Sequence, residues 1–441
     1  MKASRTAFVA VLALATVALC AVVMVEAGHR MYETVGPSRA VAAPDGSLYV
    51  VSRGAVNVFG PDGHRREVID LGRLGAPRIP ADLAVHRDGR LIVTDADEAT
   101  MLRCDRAAAH CETVDAHLTH VPRGGRLNTA KVSIDEARQR YFISDNAGYR
   151  LLAVDFSGRL VSAGVRGSVA RPNQVRLEDG GRLRVADTDF HRIATFDVSD
   201  GKPGKRLASI AAHTPLAREG HDWPIACLQL PSGEVWALLA DRHMKDADLV
   251  VFDGDGKALR RIDLGEDADP FDLEAWGDRV MVSDGTRYRV DAFGLDGRPV
   301  PGLADERFAA ELREGRRSID VWRGARYAAQ GALVLVPLLA IFLLRHLGTP
   351  ISPIFERPSP DGVREFARGG GIRWIGLDEG FYRRALRHFL VVIAVIVLAD
   401  AALFALVLRL LGWDALLKAP GLKWQLLEIG GVAAVAAAFA P

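Results

Sequence analysis

A short unit of turn, strand and strand recurs six times between residues 36 and 302, and no other feature of the chain restricts its fold so strongly. Each copy opens near a turn, often marked Asp-Gly, Ser-Gly or Gly-Gly, where glycine supplies the positive φ of a tight hairpin. The predicted strand pairs fall at 48–52 and 56–59, 91–95 and 101–105, 141–145 and 151–155, 183–187 and 193–197, 235–239 and 249–253, and 280–284 and 290–293. The first strand of each pair ends at Ser52, Asp95, Asp145, Asp187, Leu239 and Asp284, a spacing of about 42 to 52 residues that fits one four-stranded blade per repeat. Alternation along the strands buries side chains between neighbouring blades, and a blade alone could not bury its faces. The expectation is an all-β six-bladed propeller over residues 28–302, with 28–35 as the candidate for a strand that closes the ring.

The fourth copy carries the most specific pattern. Arg171-Pro172-Asn173-Gln174-Val175, then Val185-Ala186-Asp187-Thr188, His191-Arg192-Ile193 and Phe196-Asp197 resemble the NHL-repeat consensus. The resemblance extends over residues 36–302 and implies a propeller architecture more than any activity.

Long runs with almost no charge lie at both ends of the chain. Lys2 and Arg5 precede the apolar run 8–25, so residues 1–27 read either as a signal peptide, with small or β-branched residues ahead of Gly28, or as a retained signal-anchor helix. Leu19 before Cys20 argues against a lipoprotein signal. Residues 303–325 are charged, with Phe308, Leu312, Ile319 and Val321 interspersed, and read as a partly helical juxtamembrane connector. C-terminal transmembrane α-helices are expected at 326–344, 389–411 and 424–440. Arginines in the loop 345–388 place that loop inside and the propeller outside a bacterial inner membrane. Asp400, within the span 389–411, is costly in hydrocarbon and should face a helix, a cavity or a partner; Glu428 could share that polar interior. Gly430, Ala434 and Ala438 form a small face suited to helix packing or oligomerisation.

The net charge of +1, from 56 basic and 55 acidic residues, gives no overall field for a polyanion, so nucleic acid is not expected as a partner. Cys104 and Cys111 lie seven residues apart around 107–109, a spacing that would let an oxidising compartment close a hairpin tip. Cys227 sits in an apolar stretch as a core residue.

Six-bladed propellers similar to this one include the gluconolactonase and senescence-marker-protein family. That likeness implies an axial metal held by a first-blade acid, an Asn and a later Asp. Asn173 matches the Asn, but the other two positions fall at Pro37 and Ile225, neither of which coordinates. The histidines His117 and His120, and the set His213, His221, Asp222, Asp241 and His243, surround predicted loops and offer a second candidate site at one mouth. Asp95, Asp145, Asp187 and Asp284 occur once per repeat and read as strand-end hydrogen-bonding residues. No nucleophile elbow, phosphate loop or HExxH is present. Together these point to a binding scaffold or sensor without a cofactor, for a protein, peptide or glycan ligand; a metal-dependent lactonase or esterase is the alternative.

Overall fold

The computed structural model describes residues 2–33, 35–95, 99–120, 130–164, 167–265 and 268–346. It divides into two units, one of residues 33–319 and one of residues 1–32 with 320–441. The first unit is a six-bladed β-propeller, and each blade is built from consecutive strands. A helix, α1 (Lys2–Glu33), precedes it, so residues 28–33 are helical and do not supply the closing strand.

The first blade is β1 (Arg39–Ala42), β2 (Leu48–Ser52), β3 (Ala55–Phe59) and β4 (Arg65–Asp70). The second is β5 (Asp82–Val85), β6 (Leu91–Asp95), β7 (Thr100–Asp105) and β8 (His110–Val114). The third is β9 (Lys131–Asp135), β10 (Arg140–Asp145), β11 (Arg150–Asp155) and β12 (Leu160–Ala163). The fourth is β13 (Pro172–Glu178), β14 (Arg182–Asp187), β15 (Arg192–Asp197) and β16 (Arg206–Ala211). The fifth is β17 (Trp223–Gln229), β18 (Val235–Ala240), β19 (Asp248–Phe252) and β20 (Ala258–Ile262). The sixth is a three-stranded sheet, β21 (Asp272–Trp276), β22 (Arg279–Asp284) and β23 (Arg289–Gly294), followed by a single bridge from Phe293 to Pro299.

Period-two alternation explains the core. Along β14, Leu183 and Val185 pack toward the third blade, whereas Ala186 packs toward the fifth. Five apolar clusters fill the consecutive interfaces from the first blade to the sixth. The ring closes where β1 lies against β21. There the Trp276 indole N–H donates to the Gly46 carbonyl (2.8 Å). Gly36 packs so tightly on Gly285 that a Cβ would lie 2.3 Å from its carbonyl oxygen.

Within 303–325 the chain is non-helical up to Asp305 and helical from Glu306, where one helix, α2 (Glu306–His346), begins that also covers the stretch 326–344. Its start is fixed by Asp305, whose carboxylate accepts from the Phe308 backbone N–H at 2.6 Å, the N-cap arrangement. Phe308, Leu312 and Ile319 are buried, and Val321 is exposed. Among the described residues, no helix is long and apolar enough to cross a membrane. The stretches 389–411 and 424–440, with Asp400 and Glu428, lie outside the described residues.

Candidate functional site

The inner strands put charged side chains on the propeller axis. Arg39 of β1 reaches Asp272 of β21 (Nη1 to Oδ1, 2.5 Å) and Asp82 of β5 (Nε to Oδ1, 2.7 Å). Asp272 also accepts from the Ala40 N–H (3.1 Å) and the Gln174 amide (3.0 Å). Gln174 in turn accepts from the Cys227 N–H at 2.6 Å. Asp82 accepts from the Val132 N–H (2.7 Å) and lies 3.9 Å from Lys131 Nζ. Arg176 of β13 pairs with Glu274 at 2.6 Å. Burial opposes the charge on Arg39, but Asp272, Asp82 and Glu274 outweigh it and raise the guanidinium above its usual range. Three cations and three carboxylates therefore neutralise one another along the axis, and the network joins five of the six blades.

One face of the ring carries the connections between blades together with the turns joining each second and third strand. Asn173 lies there, in a bulge where the pairing register shifts between Pro172 and Gln174. The same shift between Pro224 and Ala226 puts Ile225 at the equivalent place in the next blade, where it packs on an apolar cluster. Both ends of the Asn173 amide are engaged. Its oxygen accepts from Asn146 Nδ2 (2.6 Å), its nitrogen donates to Thr188 Oγ1 (2.7 Å), and Thr188 donates to the Pro224 carbonyl (2.6 Å). Asn173 thus stitches three blades together. Among the described residues, no group of three or more His, Cys, Asp or Glu side chains is arranged to hold a metal.

The histidine set divides. His213, whose side chain is 87% exposed, and His191 both approach Asp222, with nitrogen-to-oxygen distances of 3.8 and 3.3 Å. His191 also meets the Trp223 ring edge to face at 4.5 Å. His221 points elsewhere, to Asp248 at 3.5 Å, and its side chain is only 10% exposed. His243 sits in a turn capped by Asp241 and accepts from Arg242. Burial opposes it, but the backbone N–H groups of Lys245 and His243 hold the Asp241 carboxyl below its usual range. His117 belongs to another loop, where its Nε2 meets the Gly158 carbonyl at 3.0 Å. His191 was hidden in the sequence because it belongs to the repeat signature. Its left-handed backbone, φ 48°, matches Tyr149 and Tyr288 in other blades.

The fold is similar to that of streptogramin B lyase. One streptogramin B lyase structure matches at 12% identity and a TM-score of 0.44, covering 61% of this chain and 83% of that one. Virginiamycin B lyase from Staphylococcus aureus matches at 12% identity and a TM-score of 0.43, covering 61% and 85%. At such values the likeness concerns the fold alone. No family model and no curated protein matches the chain.

Two further features bear on the chemistry. Cys104 and Cys111, directly paired across β7 and β8, form a disulfide with their Cα atoms 4.0 Å apart. The Cys227 thiol is free and fully enclosed, and burial pushes it up to about 12.

Proposed function

We propose that the chain is a membrane-tethered, extracytoplasmic NHL-type propeller that acts as a binding scaffold or sensor for a protein, peptide or glycan. The observation that carries this reading is the axis itself. Its charges are spent on one another, so the groups free to meet a ligand are on the loop-bearing face, where His213 projects beside Asp222, His191 and Trp223. The Cys104–Cys111 bridge suits an oxidising compartment. The predominantly apolar runs at 8–25, 326–344, 389–411 and 424–440 suit a tether, with Lys2, Arg5 and the arginines of 345–388 inside.

Location and role are tested together in intact cells producing the full chain. A single added cysteine at Asp255, labelled by a membrane-impermeant maleimide, supports an external propeller; protection until lysis removes it. A photo-crosslinking residue at position 213 should give a discrete adduct that the same residue at Asp255, on the opposite face, does not. Equal labelling from both faces would overturn the binding role, and ester or lactone turnover lost in Asn173→Ala would replace it with the hydrolase reading.

A further inference from the structure

In this ring the first and last strands are not exchanged between blades, and the sixth blade stops at three strands. After the bridge at Pro299, one further bond, from the Val300 N–H to the Ala292 carbonyl, follows β23 before the chain leaves for α2. The opening turns of α2, residues 306–319, then contact both blades at the closure. On the first blade, Phe308 meets the Phe59 ring edge to face at 5.0 Å, and Arg65 grips Glu311 through two bonds of 2.6 and 2.9 Å. Arg53 donates to the Glu311 carbonyl at 3.0 Å. On the sixth blade, Arg316 donates to the Thr286 carbonyl, and Gly315 lies against the Tyr288 ring, where a Cβ would come within 2.8 Å of a ring carbon.

We propose that residues 306–319 are a latch that closes the ring in place of a shared strand, and that the latch is releasable. A cleft of about 270 Å3, lined by Tyr288, Asp291, Asp305, Phe308 and Leu312 among others, lies under the helix on the sixth-blade side. The helix therefore holds through a few discrete contacts instead of a continuous interface. Release of residues 306–319 would then open the ring at the junction of the first and sixth blades.

The test is hydrogen exchange followed by mass spectrometry on the full chain, comparing the natural protein with Glu311→Gln and Gly315→Ala. Alanine is a better helix former than glycine, so Gly315→Ala strengthens the isolated helix, yet its Cβ collides with Tyr288. A latch predicts that exchange in β1 to β4 and β21 to β23 speeds up by about tenfold in Gly315→Ala and by about two- to threefold in Glu311→Gln, while the third and fourth blades stay unchanged. The double exchange Arg65→Glu with Glu311→Arg should bring the first blade back toward its natural rate. Acceleration spread evenly over all blades, or none in either variant, would overturn the proposal.

Discussion

Asp187, at the end of β14, and Arg192, at the start of β15, face each other across a tight turn with Nε 2.7 Å from Oδ2. The pair does more than brace the turn. Asp187 accepts the Ala170 N–H (2.6 Å) and Arg192 donates to the Ser168 carbonyl (2.7 Å), so together they clamp the loop arriving from the previous blade. Asp145 with Arg150 clamps Thr119 and His117 in the same way, and Asp284 with Arg287 clamps Asp269 and Leu264. In the fifth blade, where the strand-end position is Leu239, the arrangement is reversed: Arg218 of the loop grips Asp248 of β19 at 2.9 Å.

Loss of the arginine should therefore cost more than loss of the charge on its partner. Arg192→Met leaves an enclosed carboxylate without its cation, and we expect about 3 kcal/mol of destabilisation in chemical denaturation. Burial, ahead of the opposing bonds from Ala170 and Arg192, raises the Asp187 carboxyl above its usual 3.8. A raised folded value means that the native state holds the proton more tightly, so this group's contribution improves as pH falls toward 3.8. Asp187→Asn should remove that gain; a variant with an unchanged acid-side profile would refute the assignment.

These clamps also explain what the sequence made legible. The second and third strands of every blade are visible as periodic apolar runs, because both of their faces pack against neighbouring blades, and each runs within a residue of its predicted bounds. The inner strands were missed. They are short, and Arg39, Asp82, Lys131, Arg176, Asp272 and Glu274 interrupt their apolar pattern to meet on the axis, a charge balance visible only once the ring brings together residues as distant as Arg39 and Asp272. The outer strands were missed for the opposite reason: β4, for example, buries only Ile69 and reads as polar loop. At the candidate site, His213 and Asp222 were legible as a loop cluster, whereas His221 and His243 diverge because backbone turns, not spacing, aim them.

The axial network makes a second expectation. Arg39→Met removes the nearest cation from both Asp82 and Asp272, which are 1% and 2% exposed and keep only Lys131 at 3.9 Å and Arg176 at 3.7 Å, and should cost about 3 kcal/mol. Replacing the three groups together by apolar residues of similar size should cost less than the single change. Thermal unfolding of the single and triple variants decides this; a single variant within about 0.5 kcal/mol of the natural protein would mean the ion pairs add nothing.

For the disulfide, the short loop between Cys104 and Cys111 limits the effect. Chain-entropy reasoning gives about 2 kcal/mol for a loop of this size. Cys104→Ala with Cys111→Ala should lower stability by that amount or less, with increased exchange confined to β7 and β8. In protein isolated without reductant, alkylation should mark neither cysteine; modification of both would mean that the bridge does not form in the cell.

Glu311 supplies a pH signature for the contact between α2 and the first blade. Its hydrogen bonds to Arg65 lead the causes that hold its carboxyl below the usual 4.5. A lowered folded value contributes stability that is present above about 4.5 and lost as pH falls through the folded value, because protonation of Glu311 breaks the charge pair. The side chain is about one-third exposed, so solvent and salt screen the pair and its contribution is small. Measured against the intrinsic exchange rate at each pH, which itself falls on acidification, protection in β3 and β4 of the natural protein should therefore drop below pH 4.5, and added salt should lower it at neutral pH. In Glu311→Gln both responses should be absent, since no charge remains to be titrated or screened. Equal acid responses in the two proteins would assign the effect to other carboxylates, Asp305 beside Arg65 being the first to examine.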